Sequence, residues 1–94
     1  MGKQYLLMVA DHKDMTTLEK EVQRVLDMKK GSLDVIVVDL SGVPFVLSSA
    51  IAQIVKLFKS SKKLTSAFRV VNAGSQNYDM LKTLRLTELF EVTR

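Results

Sequence analysis

Apolar side chains run along the chain in two rhythms, short unbroken runs and longer stretches with apolar positions three and four apart. Tyr5 to Ala10 is an apolar run and predicts a strand, followed by a charged turn from Asp11 to Asp14. Leu18, Val22, Val25 and Leu26 then fall at i, i+4, i+7 and i+8, the single buried stripe of an amphipathic helix. Thr16 or Thr17 can cap its start. Lys29-Lys30-Gly31 suits its end, with cations against the helix dipole and a glycine free to take a positive φ just beyond.

Asp34 to Leu40 is β-branched and continuous rather than alternating, as a strand buried on both faces of a parallel sheet reads. It is expected to be central. Ser41-Gly42 breaks the run, and Pro44 holds Val43 out of the helical region, so a connection through Phe45-Val46-Leu47 follows. From Ser49 onward Ile51, Ile54, Val55 and Phe58 repeat with helical spacing, predicting a second helix to about Lys62 with Ser48 as its natural N-cap. Phe68 to Asn72 predicts a further strand, closed by Ala73-Gly74. Ser75 or Asn77 can open a third helix carrying Tyr78, Leu81 and Leu84, Leu86 to Phe90 predicts one more short turn, and Val92 a terminal strand.

Strands that alternate with helices must run parallel and be joined by crossovers, which predicts an α/β fold with helices packed on a mostly parallel sheet. With 94 residues there is room for one hydrophobic core, so residues 1–94 are expected to form a single domain. A 47% apolar and 26% charged composition is that of a chain able to fold.

Charge and chemistry narrow the function. The chain has no cysteine, which excludes disulfides and thiolate sites and fits a reducing, cytoplasmic setting. No apolar stretch reaches the roughly 18 residues needed to span a bilayer, so direct membrane insertion is not expected. The net charge of +4 is uneven: residues 1–47 hold six Lys/Arg against seven Asp/Glu, and residues 48–94 eight against three. Lys56, Lys59, Lys62 and Lys63 belong to the later turns of the second helix, where cations offset its dipole. Without aromatic residues between them to stack bases, nucleic acid is not an expected partner.

The glycines at 2, 31, 42 and 74 are too scattered for a dinucleotide turn or a phosphate loop, so no cofactor is expected. A single histidine, His12, rules out a two-histidine metal motif and reads as a solvated loop residue. Paired carboxylates with binding groups around them are missing too, and the chain is not expected to be an enzyme.

From Asp39 the chain reads DLSGVPFVLSSAIAQIVKLFKSSKK, then RVVNA from Arg69 and LKTLRLTELFEV from Leu81. This succession resembles the STAS family, the domain shared by sulfate transporters and bacterial anti-sigma factor antagonists. Asp39-Leu40-Ser41, Phe45, Ser48-Ser49, Ile51 and Leu89-Phe90 match the family pattern in order and spacing, well over residues 34–92 and loosely over the first 33. The resemblance implies a STAS-like four-stranded sheet with three to four helices. The family's usual additional first edge strand has no counterpart before Tyr5, so the sheet edge there is expected to pair with a second copy as a homodimer, or with a partner strand.

In family members that antagonise anti-sigma factors, the first serine of the motif is phosphorylated by the anti-sigma factor acting as a serine kinase. The resemblance places Ser48 at that position, with Ser49 as second choice. It implies a cytoplasmic, bacterial regulatory module of signal transduction and transcription. The expected partner surface comprises Asp39, Ser41, Val46, Leu47, Ser48, Ser49, Ala50 and Gln53. Leu47 stands where the family usually has Asp, and Ala50 where it usually has Gly. A less polar loop of that kind also suits a soluble STAS subunit docked on a membrane lipid or solute transport complex without phosphate.

Overall fold

The computed structural model describes residues 3–12, 14–64 and 67–94. Four strands, β1 (Gln4–Met8), β2 (Val35–Asp39), β3 (Ala67–Val71) and β4 (Glu91–Val92), lie in chain order across one sheet, every neighbouring pair parallel. Parallel neighbours need long crossovers. These contain the helices α1 (Met15–Leu26), α2 (Ser48–Lys63) and α3 (Gly74–Thr83), with a short 3₁₀ turn at Leu86–Glu88 before β4.

Alternation along the strands separates two faces. Leu7, Ile36, Val38, Phe68 and Val70 merge with Leu18, Val22 and Val25 of α1, Ile51, Ile54 and Leu57 of α2, and Leu81 of α3 into one core. All three helices therefore cover this face. Its flank is tied by Tyr5, whose hydroxyl donates to Glu21 on α1; burial and the Glu21 carboxylate both push the phenol pKa upward. On the opposite face Leu6 and Met8 are exposed, Arg69 pairs with Glu91 at 3.5 Å, and among the described strand residues only Val37 is buried. β2 is central, as its sequence predicts, but the helices cover it on one side only.

Local chemistry explains the boundaries. α1 begins two to three residues earlier than a threonine cap would allow, because Asp14 is the N-cap and its carboxylate accepts from Thr17 N at 2.8 Å and Thr17 Oγ1 at 3.0 Å. β1 stops at Met8 rather than Ala10, since Val9–Asp11 form a 3₁₀ turn that His12 N closes on Val9 O. Lys13 of the expected charged turn lies outside the described residues. α3 carries Leu81 inward but leaves Leu84 exposed, because the helix ends at Thr83 and Arg85 turns the chain with a positive φ of 62°.

The C-terminal half is fastened by aromatic contacts. Phe58 of α2, Phe68 of β3 and Phe90 form a mutual cluster with ring centroids 4.9–5.7 Å apart, in edge-on and tilted geometries. Lys62 lies over the Phe58 ring at 4.8 Å, so this lysine is occupied within its own helix end.

Candidate functional site

β2 runs out at Asp39, and the chain must reverse from its C-terminal end into α2. Asp39 begins the reversal: its Oδ1 accepts from Ser41 N at 2.8 Å and from Ser41 Oγ at 2.5 Å, with Asn72 Nδ2 at 3.3 Å. The Ser41 hydroxyl, then its backbone N–H, hold the Asp39 carboxyl below the usual carboxylate range, against a smaller opposing effect of burial. Gly42 follows with φ +76°, a conformation that side chains rarely adopt, and Val43 N closes the turn on Leu40 O.

The segment from Val43 to Val46 is bolted at both ends from another helix. Asn77 of α3 is 1% exposed; its Oδ1 accepts from Val46 N at 3.1 Å and its Nδ2 donates to Val43 O at 2.9 Å. Both halves of one amide are thus used to fix the loop. Val46 is buried by this clamp, and its neighbours Phe45 and Leu47 are turned outward, 51% and 60% exposed.

Ser48 is the first residue of α2 rather than its cap. Leu47 holds the cap position in an extended conformation (φ −72°, ψ 156°), and among the described residues no side chain caps the helix start. The hydroxyls of Ser48 and Ser49 are exposed and have no hydrogen-bond partner among the described residues. The reason is geometric: an N-cap side chain reaches back to the N–H two or three residues on, and a serine already inside the helix is displaced from that position. Both hydroxyls therefore stand free beside the uncapped N–H groups of a 16-residue helix.

A cavity of about 340 Å³ opens between this segment and the end of β1. Val9, Met15 and Leu18 form one wall and Val43 to Leu47, Ser49 and Ala50 the other. His12 also lines it, half-buried, with Nδ1 buried and lacking a partner, so it is not the solvated loop histidine its charged neighbours suggest.

The residues expected to form one surface divide into three groups. Leu47, Ser48 and Ser49 are exposed together; Asp39 and Ser41 are half-buried and bonded to one another at the strand end. Val46, Ala50 and Gln53 are buried. Gln53 faces the groove between α1 and α2 beside Thr16 and Lys56, because five residues of helix rotate it about 140° away from Ser48. Phe45 and Asn77 belong to the site although the expected surface omits them. Asn77 carries a signal: it stands four residues before the core residue Leu81, which puts an amide on an apolar helix face. Among the described residues no cluster of His, Cys, Asp and Glu could hold a metal ion, and no helix is long and apolar enough to cross a membrane.

One helical layer on a parallel sheet, presenting two apolar side chains and two free hydroxyls where the central strand ends, is the architecture of a small α/β binding module. The family model for the STAS domain matches residues 10–94, and the chain belongs to the STAS family. STAS domains are regulatory or binding modules that act through contacts with other proteins. No curated protein and no solved structure matches the chain.

Proposed function

We propose that this STAS domain is a cytoplasmic antagonist of an anti-sigma factor, acting by binding and not by catalysis, with the surface from Phe45 to Ser49 as its docking site and Ser48 as its switch. The observation that carries the reading is the state of Ser48: an exposed hydroxyl, committed to no hydrogen bond, at the start of a long helix and next to an exposed leucine. A kinase partner can reach such a hydroxyl without unfolding anything. Phosphate there adds about −1.5 to −2 charges at a helix N-terminus, which the helix dipole and free N–H groups accommodate. The fold therefore tolerates the phosphate, whereas an apolar partner patch seated on Phe45 and Leu47 would have to desolvate it. Binding is strong in the unmodified state and weak in the phosphorylated one.

The test compares Ser48→Ala and Ser48→Asp as bait for a serine kinase-type partner from the host, alongside a search for phosphoserine at 48 and 49 in protein isolated from that host. Capture by Ser48→Ala and at least tenfold less by Ser48→Asp supports the switch. Equal capture of a membrane transport component by both variants, with no phosphate found, replaces it with a docking subunit of a transport complex.

A further inference from the structure

β1 is an edge strand whose outer side no described residue pairs. Natural edge strands are protected by charge, proline, a bulge or extreme shortness. β1 reads Gln-Tyr-Leu-Leu-Met, with five residues in regular parallel register against β2, so it has no such protection.

The direction of its free backbone groups follows from the ladder. Lys3 O accepts from Asp34 N at 2.8 Å and Val35 N at 3.4 Å, so Lys3 faces β2. Backbone direction alternates along a strand, so Tyr5 and Leu7 face β2 too, and the N–H and C=O groups of Gln4, Leu6 and Met8 point outward. The other strands obey the same alternation: Asp34 O accepts from Ala67 N, and Val71 O from Leu40 N.

We propose that a second copy of this chain pairs with β1 in antiparallel orientation, with the two-fold axis at Leu6. Only antiparallel strands can be related by such an axis, and only this register overlaps the whole strand while satisfying every outward group. Leu6 faces its own counterpart as a hydrogen-bonded pair, and Gln4 of each copy faces Met8 of the other. The side chains agree with the backbone. Leu6 and Met8, 51% and 37% exposed, lie on the uncovered face, where each Leu6 packs on its equivalent across the axis. The two sheets become one, with both uncovered faces on the same side. The interface is formed by Gln4 to Met8 and the switch by Ser48, so a substitution at Leu6 and one at Ser48 test dimer formation and the switch proposed above with different residues.

Because the chain lacks cysteine, single-cysteine variants report the register without background. Light scattering of the full chain at increasing concentration should show a dimer, and Leu6→Lys, which sets two ammonium groups against each other at the axis, should shift it at least tenfold toward monomer with an unchanged far-ultraviolet circular dichroism spectrum. Mild oxidation should cross-link Leu6→Cys into a dimer and leave Leu84→Cys, exposed at the end of α3, uncross-linked. A monomeric wild-type chain, a dimer that survives in folded Leu6→Lys, or equal cross-linking at both positions would overturn the proposal. If Leu6→Lys fails to fold, the contrast between the two cysteine variants decides alone.

Discussion

Asn77 holds the loop ahead of Ser48 with both ends of its amide, one bond to Val46 N and one to Val43 O. Asn77→Ala removes both, and leaving the buried Val46 N–H unpaired costs about 1–3 kcal/mol. Urea unfolding should register that loss, and hydrogen exchange at Val46 should quicken more than at strand amides of β2. Asn77→Asp keeps an acceptor for Val46 N but buries a carboxylate against Val43 O, so at neutral pH it should destabilise at least as much as Asn77→Ala. Arg85 presents the opposite case, a residue whose replacement is expected to help. Its φ of 62° places a side chain in the left-handed region, where β-carbon crowding costs about 1–2 kcal/mol relative to glycine. Arg85→Gly releases this strain, against the greater flexibility glycine gives the unfolded chain. A small rise in melting temperature, a few degrees at most, should be seen by calorimetry.

At the scale of elements, α2 links site and core. Its buried side carries Ile51, Ile54 and Leu57, its C-terminal turn holds Lys62 and Lys63, and its first turn lacks both a side-chain cap and an acidic residue. A negative charge at that start is therefore an improvement for the helix. Ser48→Asp should stabilise the protein by about 0.3–1 kcal/mol through the dipole, measurable as a raised urea midpoint, even as it lowers capture of the partner. Gain of stability with loss of binding separates an electrostatic switch from a damaged surface. At the far end the cluster of Phe58, Phe68 and Phe90 fastens α2 and β3 to the segment leading into β4. Phe90→Ala should cost about 3–5 kcal/mol in urea unfolding, as large-to-small changes in packed aromatic cores do.

For the whole molecule, the response to acid follows from two carboxylates that cap turns. Hydrogen bonds from the Ser41 hydroxyl and N–H lower the Asp39 pKa, and those from Thr17 lower that of Asp14. A carboxyl with a depressed folded pKa contributes stability above its unfolded value, near 3.8, and that contribution is lost as pH falls through the folded value. Stability should thus hold from neutral pH to about 5 and decline below it. In Asp39→Asn, which cannot titrate, the decline in urea midpoint on acidification should be shallower than in wild type. The same molecule keeps exposed apolar side chains at the β1 edge, Leu6 and Met8, and in the loop ahead of α2, Phe45 and Leu47.

The sequence alone determined the order of elements and the class of fold, because periods of two and of three to four are properties of the local chain. The runs at Asp34–Leu40 and Phe68–Asn72 and the stripe Leu18, Val22, Val25 appear where their patterns put them. The ordered matches from Asp39 to Phe90 gave the family for the same reason, since each is a local motif. What required the tertiary structure was everything set by contacts between distant segments. That the helices cover one face of the sheet decides why Val38 is in the core and Leu6 is in water, although both stand in apolar runs. That Asn77 reaches across to Val43 and Val46 decides which loop side chains turn outward. Ser48 illustrates both halves: its place at the start of a helix was written in the local spacing, but its freedom from capping depended on Leu47 taking the cap position at the end of a loop clamped from α3.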